Sequence, residues 1–459
     1  MRHSLTAALL AAAAANGCHS DPVVVGNLQE VTAIPALPNP DLDLVFVIDN
    51  SPSMADKQAN LVANFPAMMN VLSSLPDGLP NLHIGIITSD MGSEDFYGHI
   101  GPSIGSPGQQ GACSGVGDDG LLQTGGAALG GDLYLSDVSD GMGGRIRNYT
   151  GTLADTFTQM ATVGQFGCGF EQHLFSLMTS FANTSNGDFY RPTANLGIVI
   201  LADEDDCSMF DSSLIQANTS VLGPLQSFRC FAQGVVCDPD DPNTPGPKSD
   251  CAPRASSLYV EDVQPFIDSV LAQKSDERMV MAAALAGDPT PVATELRAPV
   301  SGQAAIPALA HSCSYQDAQG LVEVADPAVR IQAFTDGFPG RNAFGTICQQ
   351  DLSNPLQLIG ESARRLQGDP CFSTAGLADA DAVEPGVQPA CAVTDVRDSD
   401  PDHPATLPAC TASLATDCYQ ILADPSVCPM YDGHLRVLLH RSTTPAPDTW
   451  THVICQKAS

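Results

Sequence analysis

Leu42-Asp43-Leu44-Val45-Phe46-Val47-Ile48-Asp49 is a nearly continuous apolar run, and Asn50-Ser51-Pro52-Ser53 closes it with turn-forming residues. A strand with one wet face alternates apolar and polar side chains; this one does not, so it reads as a strand covered on both faces, as in a parallel sheet flanked by helices. Downstream, Leu61, Phe65, Met68, Leu72 and Leu75 recur at steps of four and three, which predicts an amphipathic helix. Pro76, Gly78 and Pro80 stop it.

The same alternation continues along the chain. Apolar runs predict further strands over 83–88, 196–202, 279–286 and 344–348. Helical spacing predicts helices over 153–163, 170–181, 260–274 and 356–366. The expected fold class is therefore α/β: a doubly wound, mostly parallel central sheet flanked by helices, spanning 41–367. Gly-, Ser-, Asp- and Cys-rich texture marks insertions at about 91–150, 207–258 and 287–340. From residue 368 onward, Pro- and Asp-rich sequence punctuated by cysteines predicts a small disulfide-rich β region, with 434–440 and 450–455 as the two strands of a hairpin.

Open α/β sheets place ligands at the carboxyl ends of their strands. The first strand ends in Asp49, followed by Ser51 and Ser53; the second ends in Thr88 and Asp90. The strand over 196–202 ends in Asp203-Glu204-Asp205-Asp206. Carboxylates and hydroxyls are the oxygen donors that hard cations such as Mg²⁺ or Ca²⁺ prefer. Asp49 as a plain cap of the following helix is the alternative reading of the loop.

Leu44 to Met54, with its Asp49-x-Ser51-x-Ser53 pattern, resembles the opening of a von Willebrand factor A domain and its metal-ion-dependent adhesion site. Val199-Ile200-Leu201-Ala202-Asp203 resembles the later strand whose terminal Asp completes that site. The resemblance implies a divalent cation contacted by Ser51 and Ser53, held directly or through water by Asp49 and Asp203, and open to an acidic side chain of a protein or other macromolecular partner. The family usually supplies a Thr between these motifs. Here the matching stretch is Gly167-Cys168-Gly169-Phe170-Glu171, without a hydroxyl. Glu171 is then the candidate replacement ligand, with Thr162 as a more distant one.

The expected function is binding rather than catalysis. No Walker-type phosphate loop, H-E-x-x-H pair or G-x-S-x-G elbow is present. A metal-dependent hydrolase at the same site, with Glu171, Asp90 or Asp205 as general base, is the enzymatic alternative. A structural envelope protein without bound metal is the other. A formal charge of −33 disfavours nucleic acid, whose phosphates it repels.

Arg2, the apolar run from Leu5, and Ala15-Asn16-Gly17-Cys18 read as a secretory signal over 1–18, too short for the roughly 20 residues of a membrane span. Cys18 at its end resembles the lipobox cysteine of bacterial lipoproteins, although Ala15 and Asn16 depart from the usual residues. This implies lipidation at Cys18, a membrane-anchored protein of the bacterial envelope, and a Pro-rich tether over 19–40. The alternative is ordinary cleavage, with Cys18 left as a disulfide partner. Setting Cys18 aside leaves fourteen of the 15 cysteines, enough for seven disulfides in an oxidising compartment. The absence of any C-x-x-C pair makes structural zinc the weaker reading.

Overall fold

The computed structural model describes residues 28–458, apart from 76–77, 300–302, 318, 382, 384 and 429–430. The signal segment, Cys18 and the first part of the tether lie outside the described residues. Two compact units are present: a larger one made of the described residues of 40–73 and 77–366, and a smaller one that combines the described residues before 40, Ser74 and Leu75 with those from 367 onward.

The larger unit is organised by a seven-stranded sheet. Its order is Asn342–Thr346, Val280–Ala286, Asn195–Ala202, Asp41–Ile48, Asn81–Thr88, Leu135–Ser139 and Arg145–Arg147. The first five strands run parallel, and the last two join antiparallel. Asp41–Ile48 lies at the centre, where both faces are covered. Leu44, Phe46 and Ile48 pack into one apolar cluster; Val45 and Val47 pack into the other. That double burial is why the run carries no polar alternation.

Helix Ala55–Ser73 contributes Leu61, Phe65, Met68 and Leu72 to the first cluster, where Phe65 stacks on Phe157 with ring centroids 3.6 Å apart. Each such fully buried ring contributes about 1.5–3 kcal/mol from area alone. On the other face, helices His173–Ala182, Gln264–Leu271 and Val329–Asp336 bury Leu174, Phe266 and Ile331.

The expected doubly wound α/β class does not describe this chain. Among the described residues, twenty strands spread over five sheets outnumber eight α-helices, and the four smaller sheets are wholly antiparallel. The segments read as turn-rich insertions form hairpins of short strands, which a search for long apolar runs passes over. Leu135–Ser139 and Arg145–Arg147, inside the 91–150 insertion, even join the main sheet.

The smaller unit departs further from expectation. Leu28–Pro35, read as tether, is a strand paired with Thr449–Gln456, and Ile34 is buried in the apolar cluster that holds Val453. The expected terminal hairpin is absent. Thr449–Gln456 pairs with Leu28–Pro35 and Cys391–Arg397, whereas Leu435–His440 pairs with Cys418–Ala423 and Cys371–Phe372 in a different sheet.

Seven disulfides join Cys113 to Cys168, Cys207 to Cys230, Cys237 to Cys251, Cys313 to Cys348, Cys371 to Cys428, Cys391 to Cys455 and Cys410 to Cys418. With all fourteen of these cysteines bridged, the structural-zinc alternative falls. Bridges at this density belong to an exported protein that matures in an oxidising compartment. Among the described residues no helix is long and apolar enough to cross a membrane.

Candidate metal centre

The parallel register brings the two acidic strand ends together. Ile48 lies opposite Leu201, and the Asp49 amide donates to the Leu201 carbonyl at 2.9 Å, so Asp49 and Asp203 leave adjacent strands at the same edge. Their adjacency rests on strand order, which local sequence does not encode.

Asp49 is fully buried and folds the loop on itself, its Oδ1 accepting from the Ser51 amide at 2.7 Å. It does not cap the next helix, which begins at Ala55; instead Gln58 Nε2 donates to the Asp49 carbonyl at 3.0 Å. The Ser51 and Ser53 hydroxyl oxygens are 3.3 Å apart, and Ser53 Oγ donates to Asp203 Oδ1 at 3.1 Å. Four of the five residues expected to hold the cation thus converge. Asp49 Oδ2 has no hydrogen-bond partner.

The fifth, Glu171, is 2% exposed and shares a cleft with Ser53 and Asp203. Its carboxyl is pushed well above the usual range, first by burial, then by the charges of Glu204 and Asp49. Burial and Asp49 likewise push Asp203 up to about 7, while Lys57 and Ser53 pull it down. The loop preceding Glu171 is held to the Asp49 loop by the Gly167 amide, which donates to the Asn50 carbonyl at 2.9 Å. A side chain at Gly167 would put Cβ 2.0 Å from Asn50 Oδ1, so any larger residue there forces the Asn50 side chain to move. Thr162, the more distant alternative, is exposed and donates to the Thr158 carbonyl.

Asp205 and Asp206, the last two carboxylates of the acidic run, are engaged elsewhere. Asp205 accepts from the Arg330 and Ile331 amides, and Asp206 pairs with the Arg330 guanidinium at 3.0 Å. Asp90 accepts from the Gly92 amide at 2.8 Å.

Two side chains not singled out from the sequence complete the surroundings. His173, wholly buried, places Nε2 3.7 Å from Asp49 Oδ2. Lys57, 1% exposed, places Nζ 3.3 Å from Asp203 Oδ2. His173 stands two residues after Glu171, and Lys57 four after Ser53; neither spacing is a ligand signature. Beside this group opens a cleft of about 300 Å³ bordered by Glu204, His311 and Asp326 as well.

The donor set fits a hard cation: two hydroxyls and two buried carboxylates, one of which has an oxygen without a hydrogen-bond partner. Among the described residues no three His, Cys, Asp or Glu side chains form a metal-ligating group by themselves. A cation at this loop would therefore depend on the serine hydroxyls and on solvent or a partner for its remaining ligands.

No protein family profile matches the chain, and no curated protein does. Among solved structures, it is similar to the conserved hypothetical protein BatB from Bacteroides thetaiotaomicron at 9% identity and a TM-score of 0.27, over 71% of this chain and 98% of that one. The pilus adhesin RrgA from Streptococcus pneumoniae matches at 9% identity and 0.21, over 94% of this chain and 58% of that one. The three N-terminal domains of the pilus tip protein Mfa5 from Porphyromonas gingivalis match at 11% and 0.23, over 93% and 62%. Likenesses of this size decide neither fold nor function.

Proposed function

We propose that this exported protein binds a macromolecular partner through a divalent cation, Mg²⁺ or Ca²⁺, held in a von Willebrand factor A-type adhesion site by Asp49, Ser51, Ser53 and Asp203, with Glu171 as a fifth ligand. The observation that carries the reading is the convergence of Ser53 on Asp203 at 3.1 Å beside the unpartnered Asp49 Oδ2. A buried carboxylate oxygen without a donor is costly, and a cation is the group that satisfies it. The cation would supply a point of attachment for an acidic side chain of the partner. The role is binding rather than catalysis: Asp90 and Asp205, two of the candidate bases, already accept backbone amide hydrogens.

The anchor in this proposal is a lipid on Cys18, holding the protein to a membrane of the bacterial envelope. Metabolic labelling with a palmitate analogue checks it: Cys18→Ser loses the label, and an equally labelled variant rules the anchor out.

The cation is tested by titration calorimetry of the wild-type protein and Asp49→Ala with MgCl₂ and CaCl₂. Saturable heat in the wild type, lost in the variant, is expected. Equal heats in the two proteins, or none in either, overturn the site.

A further inference from the structure

The Lys57 ammonium is buried among three carboxylates: Asp56 Oδ1 at 3.2 Å, Asp203 Oδ2 at 3.3 Å and Glu323 Oε2 at 3.1 Å. It also donates to the Ser53 carbonyl at 3.0 Å. Two of these groups, Ser53 and Asp203, belong to the cation site. A lysine in the first turn of helix Ala55–Ser73 works against the helix dipole, which favours anions there. Its burial also costs desolvation that local contacts on the helix alone do not offset. The position is held from afar instead. Glu323 comes from strand Val322–Ala325, whose hairpin partner Cys313–Gln316 is bridged to Cys348 and supplies Tyr315, a donor to Asp56. That hairpin lies in the segment read from sequence as an insertion.

We propose that Lys57 is the residue that sets the charge, and so the affinity, of the cation site: a built-in counter-charge shared between Asp203 and Glu323. This rests on the reading of the Asp49 loop as a cation site. Its ammonium supplies Asp203 with a positive neighbour whether or not a cation is bound, so the loop keeps its shape without metal. The same charge repels an incoming cation and lowers the site's affinity. Glu323 divides the lysine's attention, and removing its charge leaves Lys57 to act on Asp203 alone. The two positions therefore push affinity in opposite directions.

The test is calorimetric titration of the full chain with CaCl₂ and MgCl₂, comparing wild type, Lys57→Met and Glu323→Gln, with thermal melts in chelator and in cation. Lys57→Met is expected to bind at least about tenfold more tightly, to melt lower than wild type in chelator, and to regain the difference in cation. Glu323→Gln, a partly exposed position that should leave the fold intact, is expected to bind a few-fold more weakly. Unchanged affinity in both variants beside a binding wild type overturns the lysine's role and leaves the cation site standing. No binding in any of the three overturns both. Should Lys57→Met not fold, the Glu323→Gln affinity decides alone.

Discussion

His173 Nε2 stands 3.7 Å from Asp49 Oδ2, both side chains wholly buried and neither atom in a hydrogen bond. Burial opposes a charged imidazole, yet Asp49 and the neighbouring Asp206 and Asp205 hold the His173 pKa above its ordinary value. His173 is thus the near counter-group of the Asp49 carboxylate, whose Oδ2 makes no hydrogen bond. Replacing it by Leu leaves Asp49 unopposed and is expected to lower the unfolding free energy by about 3 kcal/mol. Urea denaturation measures this, and an unchanged midpoint would show that the pair carries no energy.

Arg330 ties two parts of the larger unit together. Its guanidinium meets Asp206 Oδ2 at 3.0 Å and the Glu261 carbonyl at 2.7 Å, while Asp206 Oδ1 accepts from the Leu174 amide at the start of helix His173–Ala182. Arg330→Met strands a buried carboxylate and should cost about 3–5 kcal/mol. The checking measurement is the chemical denaturation curve, with the loss appearing in the midpoint and not in the slope.

The Cys113–Cys168 bridge spans 55 residues and fixes the loop whose Gly167 amide meets Asn50. Loop-closure entropy puts its contribution at up to about 4 kcal/mol. The double variant Cys113→Ser, Cys168→Ser is expected to melt well below wild type under non-reducing conditions. A melting temperature within a degree of wild type contradicts this.

Asp90 offers a pH signature. Burial, with the charge of Asp118 adding to it, pushes the Asp90 carboxyl up to about 6 against the pull of the Gly92 and Cys168 amides. The unfolded chain loses this proton near pH 4, so the native state binds the extra proton between about 4 and 6. Stability from this group is thus fully present below pH 4 and is lost as pH rises through 6. Asp90→Asn keeps a neutral group throughout, so its stability relative to wild type should rise by up to about 3 kcal/mol between pH 4 and 7. Denaturation at several pH values reads this directly, and a pH-independent difference contradicts the shift.

Much of the candidate site was legible before the fold. Asp49, Ser51 and Ser53 stand at the end of an apolar run, and Asp203 ends another, because backbone alternation and loop placement are local properties. Glu171 was found only as the occupant of a position where a hydroxyl was expected. Lys57, His173 and Glu323 were not found, since a lone Lys, His or Glu gains meaning only from what it faces. The whole-chain class was misjudged for a related reason. Runs such as 42–48 stand out, whereas Leu135–Ser139 and Val322–Ala325 are short and interrupted by polar residues, so the antiparallel pairings they make left little trace.

By itself, then, the sequence determined which strand is covered on both faces, which loop follows it, and that fourteen cysteines after Cys18 suffice for seven bridges. Side-chain polarity along a few consecutive residues decides such matters. Only the tertiary structure decided which cysteines pair, that Thr449–Gln456 joins Leu28–Pro35 rather than the neighbouring Leu435–His440, and that Lys57 meets both Asp203 and Glu323. These depend on strand order and register between segments far apart in the chain, where several pairings satisfy the same local pattern and only global packing selects one.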